Sequence, residues 1–284
     1  MKCYSSGVVT IFLLFLTITG FAKGPIKILA IGNSFSRDAV EQYLYELAEA
    51  AGDSLVIGNA YIGGCSLERH NKNLDENAPA YVYRKIIGGK YTEEPSKTLE
   101  ECIMDEPWDF ISIQQVSQHS GMYETYFPYS TNLIEYINSK TKNPDVKIVL
   151  HRTWAYSKDS SHDGFTNYDR NQDKMYKAIV ETTNKVVANV SEVDFIIPAG
   201  TAIQNGRTSP LGDSFCRDGY HLELTYGRYT AACTWYEAIV GKSVVGNSYH
   251  PSSISPAVAK IAQKAAHAAV RKPDKIKSLA KCKL

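Results

Sequence analysis

What the chain lacks narrows its class first. Six cysteines in 284 residues include no Cys-x-x-Cys spacing, so neither a zinc ribbon nor a dithiol redox pair is written here. No G-x-G-x-x-G or G-x-x-x-x-G-K-[ST] run occurs, which leaves a nucleotide cradle unsupported, and no residue cluster has metal-ligand spacing. Neither charge is in surplus: 31 Lys and Arg against 30 Asp and Glu leave a formal +1, with no basic field to draw nucleic acid. Internal repeats and interdomain linkers are missing as well. What remains is ordinary for a globular chain, 44% hydrophobic and 21% charged, and long enough for one large α/β domain.

The N-terminus differs from the rest. Lys2 supplies a positive start, residues 8–21 are almost wholly apolar, and Gly20, Phe21 and Ala22 offer a cut after Ala22, the layout of a secretory signal peptide. The apolar run falls short of the about 20 residues of a spanning helix, and Cys3 precedes it, which does not suit a lipoprotein. The expectation is an exported chain, periplasmic or extracellular, with residues 1–22 a signal peptide, 23–272 one folded domain and 273–284 a basic, frayed tail. Cleavage would leave Cys65, Cys102, Cys216, Cys233 and Cys282, an odd set whose pairing stays open, a Cys65–Cys216 bridge included.

Five short apolar runs, at residues 26–31, 55–60, 110–113, 147–150 and 193–197, read as buried strands. Helical spacing links Ala39, Leu44, Leu47, Ala48 and Ala51 up to Gly52, and marks residues 129–138, 174–188, 225–239 and 256–270. Strands alternating with helices predict a parallel sheet covered on both faces. Residues 67–107, with Pro79, Pro95 and a Gly88-Gly89 break, read as a partly helical insertion of the kind that covers a site.

The first strand ends at Gly32-Asn33-Ser34, and Asp218 and His221 stand three apart far downstream. A neutral serine is a poor nucleophile; acyl transfer requires a base beside it, a group orienting that base, and donors aimed at the oxyanion. Asp218 can hold the His221 imidazole while its other nitrogen faces Ser34. Taken alone a D-x-x-H is a turn and a surface histidine; beside a serine turn at the first strand it gains meaning. His70, His119 and His151 read as structural histidines, Arg37 and Arg152 as surface ion pairs with an acidic substrate as the alternative. Trp154 and Tyr156 offer either core packing or a stacking face for a sugar.

These blocks together resemble the SGNH, or GDSL-like, hydrolases. Gly32-Asn33-Ser34 matches the family's nucleophile block, Gly63-Gly64-Cys65-Ser66 the block whose glycine N–H serves the oxyanion, and Asp218 to His221 the closing D-x-x-H. The resemblance implies a three-layer α/β/α sandwich with a flavodoxin-like parallel sheet, a Ser34–His221–Asp218 triad, and oxyanion donors from Ser34 and Gly64. It departs at the third block, where the family's asparagine is absent: the chain reads Gln114-Gln115-Val116-Ser117-Gln118-His119, and Gln118 or Gln115 is the replacement donor. That change makes the chain similar to a divergent exported subset of the family from gut Bacteroidetes that works beside glycan-degrading enzymes. The implied activity is a cofactor-free serine esterase acting on O-acetylated carbohydrate, with lipid or aliphatic esters next. A non-catalytic glycan-binding protein on the same fold is the rival. Oligomeric state is not legible.

Overall fold

The computed structural model describes residues 24–284; the expected signal peptide lies outside them. Seven strands form one sheet in the order β4-β3-β2-β1-β5-β6-β7. They are β1 (Ile26–Gly32), β2 (Leu55–Tyr61), β3 (Tyr81–Ile87), β4 (Lys90–Lys97), β5 (Phe110–Ile113), β6 (Lys147–His151) and β7 (Val193–Ile197). The run β2-β1-β5-β6-β7 is parallel, the flavodoxin-like order of a doubly wound sheet. These are the five strands expected from their apolar runs.

Side-chain alternation builds two cores from one strand. Along β1, Ile28 and Ala30 enter one cluster while Leu29 and Ile31 enter the other. The first lies under α1 (Ser34–Val40), α2 (Leu44–Ala50), α7 (Ala199–Arg207), α8 (Tyr226–Val240) and α9 (Pro256–Arg271). The second lies under α3 (Leu67–Asp75), α4 (Leu99–Asp105) and α5 (Tyr129–Lys140), and α6 (Gln172–Asn189) sends residues into both. The result is a three-layer α/β/α sandwich.

Four expectations change. The segment read as a partly helical insertion carries α3 and α4, but its middle is an antiparallel hairpin, β3 and β4, that turns at Gly88-Gly89, both at positive φ, and lengthens the sheet. The helix expected from Ala39 to Ala51 is two helices, interrupted where Tyr43 takes φ 71°. The tail is docked, not frayed: Pro273 O accepts from Arg152 Nη1 at 2.7 Å, Asp274 sits 2.9 Å from the same atom, and Leu279 packs on Ile261 and Ala265. Arg152 itself is fully buried, so neither surface pairing nor substrate contact describes it.

No helix among the described residues is long and apolar enough to cross a membrane. All five described cysteines are free, so no Cys65–Cys216 bridge forms. Burial pushes the Cys65 thiol up to about 12, leaving it protonated at neutral pH.

Candidate active site

In an open parallel sheet the ligand crevice lies beyond the carboxyl ends of the strands, where the chain reverses its winding. β1 is that point, flanked by β2 on one side and β5 on the other. The turns leaving β1, β2 and β5 meet around a cavity of about 400 Å³ lined by Asn33, Ser34, Gly63, Gly64, Val116, Ser117 and Gln118, together with Arg37, Tyr61, His162, Tyr220 and His221. Ser34 opens α1, so its N–H belongs to the helical first turn that has no intrahelical acceptor.

Asn33 ties the three turns together. Its Oδ1 accepts from Phe35 N at 3.0 Å, capping α1, and from Gln114 Nε2 at 2.8 Å. Its Nδ2 donates to Cys65 O at 2.9 Å, fixing the turn in which Gly64 takes φ +61°, a conformation that suits glycine. Gln114 in turn accepts from His151 Nδ1 at 2.8 Å, so His151 is buried beneath the site as a structural residue. His70, bonded to Tyr81 at 2.8 Å, is buried likewise.

Asp218 and His221 occupy a loop closed by a bridge between Cys216 and Leu222. His221 Nδ1 is 2.7 Å from Asp218 Oδ2, while Asp218 Oδ1 accepts the N–H groups of His221 at 2.8 Å and Tyr220 at 3.2 Å. Burial works to raise the Asp218 pKa, but these hydrogen bonds outweigh it and bring it below the ordinary carboxylate value. With the carboxylate accepting at Nδ1, that nitrogen carries the proton and Nε2 keeps a lone pair. Among the described residues no hydrogen bond engages the Ser34 hydroxyl.

The loop is anchored from both sides. Asp38, fully buried on α1, holds Leu222 N at 2.9 Å and Arg217 Nη1 at 3.1 Å through Oδ2, with Arg228 Nη2 at 2.6 Å from Oδ1. Trp154 Nε1 donates to Tyr220 O at 2.7 Å, and the indole stacks on Phe35 with centroids 4.3 Å apart. Trp154 and Tyr156 are thus core residues rather than a sugar-stacking face.

The two glutamines separate cleanly. Gln115 does not reach the cavity: its Oε1 accepts from Leu67 N and Val116 N, and its Nε2 donates to Thr125 O at 2.7 Å. Gln118 lines the cavity, its backbone oxygen held by Tyr168 Oη and Asn167 Nδ2, both at 3.1 Å. Gly164 makes room for it, since a Cβ there would fall 2.3 Å from Gln118 Cβ.

Three site residues escaped the sequence reading: Asn33 as a tie, Asp38, and His162. Gly164 N donates to His162 Nδ1 at 3.0 Å, so the neutral ring carries its proton on Nε2, and burial lowers its pKa. The cavity therefore gains a donor whose only sequence signal was a histidine in an aromatic loop. Among the described residues no group of three or more His, Cys, Asp and Glu could hold a metal ion.

Residues 27–269 match the model of a domain of unknown function, DUF4886. The crystal structure of a DUF4886 family protein from Bacteroides uniformis, 52% identical, superposes with a TM-score of 0.89 over 92% of this chain and 100% of that one. A gut microbial diltiazem-metabolizing enzyme is 16% identical, with a TM-score of 0.48 over 79% of this chain and 48% of that one. A mutant acetyl-xylooligosaccharide esterase from Geobacillus is 12% identical, with a TM-score of 0.48 over 78% and 98%. Superposition at that level does not extend to chemistry. No curated protein matches the chain.

Proposed function

The chain belongs to the DUF4886 family, whose description states no activity, and we propose that it is an exported serine esterase of the SGNH type. One observation carries the reading: the Asp218–His221 pair, 2.7 Å apart, has its ring in the cavity that Ser34 and Gly64 line.

His221 Nε2 takes the Ser34 proton as Oγ bonds to the ester carbonyl carbon. The tetrahedral oxyanion is met by N–H groups of Ser34 and Gly64, with the Gln118 amide as third donor in place of an asparagine. His221 then gives the proton to the departing alcohol. Water adds to the acyl-serine through the same base, releasing the acid and restoring Ser34. Asp218 holds the ring in register and stabilises the imidazolium. A substrate of O-acetylated carbohydrate rests on the sequence resemblance, with aliphatic and lipid esters behind it.

The test compares hydrolysis of para-nitrophenyl acetate and acetylated polysaccharide by the native chain and by Ser34→Ala. Loss of activity in the variant, by about 10⁴-fold or more, is expected. The rival, a non-catalytic glycan-binding protein, draws on the unengaged Ser34 hydroxyl. A fluorophosphonate probe separates the two, because only an activated serine takes the covalent label.

A further inference from the structure

Arg37 lies three residues beyond Ser34 on α1, so their Cβ atoms are neighbours at about 5–6 Å. It lines the Ser34 cavity and also a second one of about 520 Å³, whose other walls are Glu41, Gln42, Tyr91 and Arg228. The two cavities therefore share Arg37 as their common wall. Tyr91, 46% exposed, comes from β4, so the hairpin missed in the sequence walls this extension instead of covering the triad.

The neighbouring acids do not neutralise Arg37. Asp38 is the nearest, 4.0 Å from Arg37 Nε, but its oxygens already hold Arg217, Arg228 and the Leu222 N–H. Glu41 accepts from Asn59 at 2.6 Å and Arg84 at 3.2 Å. Arg37 Nε is buried without a hydrogen-bond partner, and its guanidinium is 5.7 Å from the centre of the Tyr61 ring. Three guanidinium groups thus surround one carboxylate, and the one beside Ser34 is uncommitted.

The geometry points to an anion subsite: Arg37 receives a carboxylate on the sugar next to the acyl-bearing unit, making the ligand an acidic, uronate-containing oligosaccharide that runs on toward Tyr91. A planar guanidinium pairs with a carboxylate through two parallel hydrogen bonds, which neutral glycans cannot reproduce. The acyl-bearing unit and the choice of a sugar as carrier of the carboxylate rest on the proposed function; the anion subsite at Arg37 does not.

Calorimetric titration of the full chain with unacylated trigalacturonate and with xylotriose tests it without turnover. Trigalacturonate is expected to bind at least ~10-fold more tightly, weakening as salt rises. Arg37→Gln should remove that preference, Arg37→Lys should retain part of it, and Tyr91→Ala should weaken trigalacturonate binding. Equal affinity for the two sugars, no binding of the acidic one, or unchanged binding in Arg37→Gln would overturn the proposal; salt dependence in the native chain serves if a variant misfolds. Fluorophosphonate labelling of Ser34 is read in parallel. Labelling without acidic preference defeats this inference alone, whereas acidic preference without labelling defeats only the esterase.

Discussion

Asp38 touches none of the groups assigned to the chemistry, yet it joins the helix that begins at Ser34 to the loop that carries His221. Replacing it with Asn keeps the shape and removes the charge that holds Arg217 and Arg228. Stability is expected to fall by about 3 kcal/mol, the cost of breaking a buried pair reduced for the partial exposure of both arginines. In esterase assays kcat should fall more than KM rises, since the loop that orients the base is what loosens; thermal melts and steady-state kinetics on one preparation check both. That Ser34, Gly64 and His221 face one cavity was legible in sequence, because a strand end and a short turn determine where such residues stand. Asp38 was not: its partner Leu222 lies 184 residues away, and only an acid on an otherwise apolar helix face hinted at it. Gln115 and Gln118 were inseparable in sequence because the short 3-10 turn at Ser117–His119 decides which of them reaches the cavity.

At the scale of elements, the five parallel strands announced themselves because both their faces are buried and their runs are continuously apolar. The β3–β4 hairpin did not: Arg84, Lys85, Glu93 and Glu94 break its apolar pattern, although Gly88-Gly89 between two runs was a usable turn signal. Helix α4 carried a Thr98–Glu101 capping box that went unread. Helix α7 hid behind Gly200, Thr201, Asn205 and Gly206, all of low helix propensity, and the small residues explain its close burial: a Cβ at Gly200 would fall 2.1 Å from Thr153 O. The docked tail gives a direct test. Deleting residues 273–284 strips Arg152 of Pro273 O and Asp274 and should lower stability by roughly 2–4 kcal/mol in denaturant unfolding. A frayed tail would leave the midpoint where it was.

Over the whole molecule, acid sensitivity follows from two histidines buried on opposite faces of the sheet's architecture. Burial lowers both His70 and His151 from 6.5 to about 3, so each is neutral in the fold and free to charge once unfolded. The unfolded chain therefore binds more protons below pH 6.5, and stability, level above that value, falls as pH drops toward 3. Each histidine steepens the fall by about 1.4 kcal/mol per pH unit, and His70→Gln should flatten it in melts between pH 7 and pH 4.5. A native melting point indifferent to that range would refute the assignment. The sheet's far margin has its own consequence. Strand β4 is exposed along nearly all its length, reads KYTEEPSK, and at Pro95 has no N–H to offer. A neighbouring copy meeting that margin finds charges of both signs and a missing donor, conditions that discourage edge-to-edge aggregation even when copies are crowded.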